Sequence, residues 1–360
     1  MKLKTKSLKL KTVFIGLSGG VDSSVAALRL KQQGFSVVGV FIKVWHPDFL
    51  ECNWEEERLS AMRVAAHLNI PFLTCDAEAV YKKEVGEYFV SEYAAGNTPN
   101  PDVLCNQHVK FGAFLDFALK HGADFVATGH YVQVRLVHDD FRLYRGADKN
   151  KDQSYFLWSL TQKQLARILF PVGDSTKDSI RKEAQEAGLP TAAKKDSQGI
   201  CFLGAVDIPE FLSHFVELEA GAVLNEKGEP IGTHGGAIVY TLGQRHGFTI
   251  DNQTSSEAAH YVVSKDVKKN TITVSSKPPQ IGESEVIKLH GVNWINTPPE
   301  QGVLEAQFRY RQKPFTVGLE NAKDDRCEIR LKEAAERPAI GQSCVIYDHD
   351  RCLGGGIIFE

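Results

Sequence analysis

No run of about 18 consecutive apolar residues occurs in the 360-residue chain, so no transmembrane helix is expected. The first residues, Met1 to Lys11, alternate lysine with Leu, Thr and Ser and contain no continuous apolar core. They are read as a tail leading into the first strand, or more weakly as a phosphate-contacting arm, and not as a secretory signal. No Cys-x-x-Cys pair is present, which removes the zinc-ribbon reading. The seven cysteines, Cys52, Cys75, Cys105, Cys201, Cys327, Cys344 and Cys352, are odd in number and widely scattered. A structural disulfide framework is therefore not expected, and a cytoplasmic protein is. There is no excess of one charge either. A net charge of -3 neither requires nor excludes a nucleic-acid partner, because a local basic face can sit under a neutral total. No repeat of fixed period is visible.

What is present has the length for two or three domains. The first half alternates strands and helices. Strands are expected at Val13–Leu17, Val37–Ile42, Phe72–Thr74 and Phe125–Thr128. Helices are expected from about Asp22 to Gln32, from a capping box at Asn53 and Glu56 to about Leu68, and from an Asp76 cap to about Ala95. A further helix should run to about His121. This order implies a parallel sheet with helices on both faces. The stretch Gly96 to Asp102 holds two prolines and is expected to be an extended loop. Val132–Val137 and Phe141–Arg145 read as a hairpin, and helices are expected at Gln162–Leu169 and Lys177–Ala187. After about Val216 helical periodicity disappears. Short alternating runs, among them Ala237–Tyr240, Tyr261–Val263, Thr271–Val274, Val303–Phe308, Cys327–Leu331 and Ser343–Tyr347, indicate small β-domains.

The chemistry begins at Ser18-Gly19-Gly20-Val21-Asp22-Ser23-Ser24. A glycine turn between a buried strand and a helix lets the backbone approach phosphate oxygens, and the helix N-terminus supplies free N–H groups. Three serines add hydroxyl donors. The loop lacks the Lys-Ser/Thr ending of a Walker A motif and is not Gly-x-Gly-x-x-Gly. It resembles the pyrophosphate (PP) loop of the ATP pyrophosphatase superfamily, whose members cleave ATP to AMP and pyrophosphate and so turn a carbonyl oxygen into a good leaving group. Two cysteines stand out by their neighbours. Cys105 follows the double-proline loop at an expected helix start, where a thiol loses its proton more readily. Cys201 lies in Asp196-Ser197-Gln198-Gly199-Ile200-Cys201-Phe202-Leu203-Gly204, with glycines on both sides. Either one alone also reads as a buried small hydrophobe.

Five motifs then occur in order. They are Asn100-Pro101-Asp102-Val103-Leu104-Cys105-Asn106, Ala127-Thr128-Gly129-His130-Tyr131, Lys151-Asp152-Gln153-Ser154-Tyr155-Phe156-Leu157, Asp196-Ser197-Gln198-Gly199-Ile200-Cys201-Phe202 and Tyr240-Thr241-Leu242-Gly243-Gln244-Arg245. With them the chain resembles the bacterial tRNA-specific 2-thiouridylase (MnmA) family, from about Val13 to the closing Leu353-Gly354-Gly355-Gly356-Ile357-Ile358.

The resemblance implies an α/β fold. A doubly wound, parallel-sheet PP-loop domain of the adenine nucleotide alpha hydrolase type would span 1–215 and carry ATP binding and catalysis. A small β-rich domain would span 216–281, and a C-terminal tRNA-contacting β-barrel 282–360. It also implies ATP, with magnesium, as substrate, and tRNA and a sulfur donor as partners. The donor would be a cysteine desulfurase or a relay protein. Gly16, Leu17, Ser18, Gly19, Gly20, Val21, Asp22 and Ser23 would hold the phosphates, with Ile42 and Gly129 against the adenosine. Asn100, Pro101 and Asp102 would meet a uridine flipped out of the stack. His130, Lys151, Asp152, Gln153, Arg309, Tyr310 and Gln342 fall at tRNA contacts. Cys201 would carry a persulfide, Cys105 would act as nucleophile, and a transient Cys105–Cys201 disulfide would free the sulfur. Asp22 would act in catalysis.

Three places depart from the family pattern. Ile42 stands where methionine is usual, Val44–Trp54 differs from an acidic stretch, and Phe248-Thr249-Ile250 replaces a glycine-rich continuation. These bear on local loop shape.

His108 and His130 find no third ligand at a metal-binding spacing, and each is read as hydrogen-bonded structure or RNA contact. Lys194-Lys195 reads equally as a solvated pair or a phosphate contact. Two rival functions use the same loop: an adenylating ligase of a metabolite, which does not need the two cysteines, and a tRNA-binding protein with a relic nucleotide site.

Overall fold

The computed structural model describes residues 10–50, 54–195, 206–251, 259–299, 303–323 and 325–359. The chain divides into two compact units, one made of 1–82 and 105–198 and the other of 83–104 and 199–360.

The first unit is built on a parallel sheet. Strand β1 (Thr12–Gly16) is a near-continuous apolar run, as a strand buried on both faces requires. It pairs with β2 (Ser36–Lys43) on one side and β4 (Phe125–Ala127) on the other. β3 (Phe72–Asp76) lies outside β2. Helix α1 (Val21–Gln32) follows β1, is terminated by Gly34, and buries Val21, Val25 and Leu30 against the sheet. Helix α2 (Trp54–His67) contributes Ala61, Val64 and Ala65 to the same core. β5 (Val132–Val137) and β6 (Asp140–Arg145) form a hairpin whose two turn residues, His138 and Asp139, both have positive φ. That is the turn that matches strand twist.

Four local expectations are corrected. Ile168–Leu169 is not helix: it forms β7, the fifth strand, giving the order β3-β2-β1-β4-β7. Its preceding helix stops at Leu165 after a Thr161/Gln164 capping box. Asp76 ends β3, and the helix after it begins at Glu78, whose N–H donates to the Asp76 carboxylate at 3.0 Å. The helix expected to follow the double-proline stretch begins inside it, at Pro101. Asn100 Oδ1 accepts the Val103 N–H at 3.3 Å, so asparagine caps and proline takes the first helical position, where its missing N–H costs nothing. Ala237–Val239 is a 3-10 turn, not a strand. The capping box placed at Asn53 lies outside the described residues.

The second unit is β-rich. The strands β8 (Gly221–Leu224), β9 (Pro230–His234), β10 (Phe248–Ile250), β11 (Tyr261–Asp266) and β12 (Thr271–Ser275) form a sheet in the order β10-β9-β8-β12-β11. A short pair, β13 (Gln280–Ile281) with β18 (Ala335–Glu336), follows. Next come β14 (Val286–Trp294), β15 (Leu304–Gln307), β16 (Phe315–Lys323), β17 (Arg326–Leu331), β19 (Ser343–Asp348) and β20 (Arg351–Ile358). These pair in the order β14-β17-β16-β15-β19-β20, and a β14–β20 pairing closes the ring. Closure removes the open edges of a sheet. Ile287, Leu289, Ala306, Phe308, Ile329, Leu331 and Ile346 fill the interior.

Candidate active site

The strand order reverses at β1 and β4, so a crevice opens at their carboxyl ends, where ligands of parallel α/β sheets bind. The glycine loop leaves β1 there, and Thr128-Gly129-His130 leaves β4.

The loop closes on itself. Ser23 Oγ receives the Ser18 N–H at 3.4 Å, lies 3.3 Å from Ser18 Oγ, and donates to the Gly20 carbonyl at 3.2 Å. The three serines stand in different surroundings. Ser24 is fully buried; its hydroxyl donates to Gly20 O at 2.7 Å and accepts from Thr191 at 2.9 Å. Ser18 is exposed at the mouth. Gly19 has φ +69°, and a Cβ there would lie 2.7 Å from Ser60 Cβ and 2.9 Å from the Glu57 carbonyl. The first turns of α2 therefore cover the loop. Burial pushes the Glu57 carboxyl up, with Lys194 and His46 as opposing charges, so Lys194 feels this same neighbourhood.

Asp22 stands in the first turn of α1 and joins an arrangement that the sequence did not announce. Lys177 Nζ donates to both Asp22 oxygens, at 2.7 and 2.8 Å, and the Tyr131 hydroxyl donates to Oδ1 at 2.7 Å. The Lys177 side chain is 10% exposed and that of Asp22 31%. The pair is thus anchored below and open above. Lys177 opens its own helix, Lys177–Glu186, and its N–H donates to Asp148. Arg29, at the far end of α1, grips Glu183 of that helix at 2.6 Å. This bond ties together the two helices whose first turns bear Asp22 and Lys177.

Gly129 meets the loop directly. A Cβ added there would lie 2.7 Å from Ser23 N and 2.8 Å from Asp22 C, both backbone atoms. Gly129→Ala is expected to cost about 1–3 kcal/mol by overpacking and to weaken ATP binding about tenfold or more. Thermal melting and ATP titration calorimetry check this, and wild-type ATP affinity would contradict the placement. Ile42 is buried near Gly16.

His130 is buried, with Nδ1 2.7 Å from Thr128 Oγ1 and its ring beside Phe111 and Phe170. Burial, and secondarily Lys110, holds its pKa well below 6.5. As pH falls, the unfolded chain takes up the proton first. The contribution present above about 6.5 is then lost toward the folded value, at about 1.4 kcal/mol per pH unit. His130→Gln is expected to lack this slope when urea melts at about pH 7.5 and about pH 5.5 are compared. An identical slope in both proteins would contradict the assignment. Asp152 and Gln153 are turned inward. Asp152 accepts from Arg145, from the Gly146 and Ser154 N–H groups and from the Ser154 hydroxyl, while Gln153 Oε1 accepts the Tyr131 N–H at 3.0 Å. Gln153 thus fixes the tyrosine that reaches Asp22.

Cys105 is 1% exposed. Because the helix starts at Pro101, Cys105 sits in its second turn, where a π-helical run, Cys105–Ala113, begins. The expected helix-N-terminal thiol is corrected to a thiol inside an irregular helix, a deviation frequent at functional sites. Cys201 and the whole Asp196–Gly204 motif lie outside the described residues.

In the second unit, Arg309 donates to Leu242 O at 3.0 Å and pairs with Glu336 at 3.2 Å. The Arg311 guanidinium lies 5.1 Å from the Tyr310 ring centroid. Gln342 Nε2 donates to Thr98 O at 3.0 Å. Lys265, pushed down to about 8 by burial, donates to Tyr240 O at 2.6 Å. No cluster of three or more potential metal ligands exists among the described residues, and no helix there is long and apolar enough to cross a membrane.

A five-stranded parallel sheet with a Ser-Gly-Gly-x-Asp-Ser loop at its topological switch point defines a PP-loop domain, here followed by β-rich domains that include a closed six-stranded barrel. The tRNA methyl transferase HUP domain family matches residues 11–205. The tRNA methyl transferase PRC-barrel domain matches 209–276, and the aminomethyltransferase beta-barrel domain 284–358. The chain is 43% identical over 353 residues to the tRNA-specific 2-thiouridylase MnmA of Geobacillus thermodenitrificans, covering 97% of this chain and 94% of that protein. It is 44% identical over 355 residues to the tRNA-specific 2-thiouridylase MnmA of Nitrosomonas eutropha, covering 97% and 98%. Among solved structures, the U34-tRNA thiolase NcsA from Methanococcus maripaludis aligns with a TM-score of 0.36 at 16% identity, over 57% of this chain and 64% of that one. The chain belongs to the tRNA-specific 2-thiouridylase (MnmA) family.

Proposed function

We propose that this enzyme converts the wobble uridine, position 34, of tRNAs for Lys, Glu and Gln into 2-thiouridine, using ATP. The observation that carries the nucleotide half is the closed glycine loop facing Gly129, with Asp22 held by Lys177 and Tyr131 at its rim. Gly16 to Ser23 hold the phosphates, and Ile42 and Gly129 lie on the adenosine side. Lys177 supplies positive charge next to the position where pyrophosphate leaves, and the α1 N-terminus adds its own. Magnesium is assigned as the counter-ion that accompanies ATP. Asn100 to Asp102 receive the flipped base. Lys151, Arg309 and Tyr310 are assigned to the tRNA-facing set, with the inward-turned His130, Asp152, Gln153 and Gln342 supporting that surface from behind. We take 1–215, 216–281 and 282–360 as its functional divisions.

The steps balance. Uracil O2 attacks the α-phosphorus of ATP, pyrophosphate leaves, and N3 gives up its proton. A persulfide on Cys201, loaded by the sulfur donor, attacks C2 and displaces AMP. The Cys105 thiolate then attacks Cys201 Sγ. The old S–S bond breaks, a Cys105–Cys201 disulfide forms, and the sulfur stays on C2 as N3 regains a proton. A cellular thiol reduces the disulfide. The methyl transfer named in the domain descriptions fits this chain less well, because the closed loop is built for phosphates and chemistry at O2 calls for AMP as leaving group. The reading is tested by pyrophosphate release from ATP in the presence of an unmodified tRNA and of the same tRNA with cytidine at position 34. Release with the first alone is expected; equal release with both would sink the assignment of the base.

A further inference from the structure

The segment proposed to receive the base is fastened at one residue, Thr98, and all three polar groups of that residue are engaged. Its N–H donates to Ile340 O at 2.8 Å. Its carbonyl accepts Gln342 Nε2 at 3.0 Å. Its hydroxyl lies 3.0 Å from that of Thr241. Thr98 is 7% exposed. Gly341 packs flat on it: a Cβ at 341 would lie 3.0 Å from both Thr98 N and Thr98 O. The chain just before is held as well, since Asn97 N donates to Glu92 O at 2.8 Å and Asn97 Nδ2 to the Glu92 carboxylate at 2.9 Å.

Beyond Thr98 little freedom remains. Pro99 and Pro101 fix their own φ and restrict the residues before them, and Asn100 is tied as the helix cap. Any displacement of Thr98 is therefore passed to Asn100, Pro101 and Asp102. The Thr241 side is equally fixed. Thr241 N donates to Gln244 Oε1 at 3.1 Å, Gly243 N to Val262 O at 2.8 Å, and Leu242 O accepts from Arg309. Tyr93, whose hydroxyl burial pushes up to about 12, hydrogen-bonds to the Thr241 side chain.

The geometry points to a clamp in which Thr241 and Gln342 position the Asn100-Pro101-Asp102 turn through Thr98. This rests on the reading of that turn as the base site and deepens it. Gln342 and Thr241 are positioning residues on this account. They belong to the β-rich part of the chain and act on the base without touching it. Because misplacement of a reacting group by about 1 Å can cost on the order of a hundredfold, the clamp acts on the rate of adenylation and not on tRNA affinity.

The test is a double-mutant cycle with Thr98→Val and Thr241→Val, which keep side-chain shape and remove one hydroxyl each. The readout is single-turnover pyrophosphate release with saturating unmodified tRNA, together with separate tRNA and ATP dissociation constants. It precedes sulfur transfer and needs no sulfur donor. Each single variant is expected to slow release by about tenfold to a hundredfold. The double variant should be no slower than the slower single, because the bond between the two hydroxyls is already lost in either single variant. Both dissociation constants should stay within about twofold. Thr98→Ser and Thr241→Ser, which keep the hydroxyl, should retain the wild-type rate. The clamp is overturned by multiplicative effects in the double variant, by Val variants with unchanged rates, by Ser variants as slow as Val, or by a loss confined to tRNA affinity. Failure of the underlying function looks different: the wild-type protein itself would show no tRNA-dependent release.

Discussion

Cys201→Ala is expected to lower 2-thiouridine formation by a factor of about 10³ or more, while tRNA-dependent pyrophosphate release from ATP continues. The two halves of the proposed reaction use separate groups. On this proposal, adenylation uses the loop, Asp22 and Lys177, and sulfur transfer uses the two cysteines. Cys105→Ala should stop the reaction at a different point. The persulfide still attacks C2 and AMP still leaves, but nothing in the protein then attacks Cys201 Sγ. A tRNA held through a disulfide to Cys201 should accumulate on a denaturing gel, and excess small-molecule thiol should release it as 2-thiouridine. A single buried cysteine is otherwise often a small hydrophobe, and Cys105 is 1% exposed. Normal product formation by Cys201→Ala, read by nucleoside mass spectrometry, would remove the persulfide role. Cys105→Ala that turns over without added thiol would remove the disulfide step.

The second large effect belongs to the carboxylate–ammonium pair. Asp22→Ala and Lys177→Met are each expected to slow tRNA-dependent pyrophosphate release by about 10²–10³, the range seen when one preorganised charge-stabilising group is removed from an active site. Their stability costs should differ. Asp22→Ala removes the carboxylate that accepts two bonds from the Lys177 ammonium, whose side chain is 10% exposed, at about 3 kcal/mol. Lys177→Met keeps the volume and leaves the more exposed Asp22 with the Tyr131 hydroxyl and water, at about 1 kcal/mol. Denaturant melts separate the two, and initial rates of pyrophosphate release measure the chemistry. A normal rate in either variant would overturn the loop assignment.

The parallel sheet and the glycine loop were legible because local sequence determines them. Apolar strand, glycine turn and helix follow within Val13 to Gln32, and the chemistry sits inside that span. Lys177 was read only as a helix start, which it is, since its meeting with Asp22 spans 155 positions. Tyr131 reaches Asp22 across 109. No spacing rule reports such pairs; only the order of strands does. β7 escaped notice because two residues, Ile168 and Leu169, carry no periodicity. The Pro101 helix start was masked by the general rule that prolines break helices, although Asn-Pro is also a cap followed by a first turn. Gln342 shows what a family position leaves unsaid. The resemblance places it at RNA, and its Nε2 also donates to the Thr98 carbonyl, a bond that only folding across 244 positions makes possible.

The measurement that bears most directly on the central claim is nucleoside mass spectrometry of unmodified tRNA for Lys, Glu or Gln after incubation with the protein, ATP, magnesium and a persulfide-loading donor, a cysteine desulfurase with cysteine. The account predicts 2-thiouridine at position 34 that appears only when ATP is present, with AMP formed in equal amount. A thiolated or methylated nucleoside elsewhere in the tRNA, or 2-thiouridine formed equally well without ATP, would contradict it.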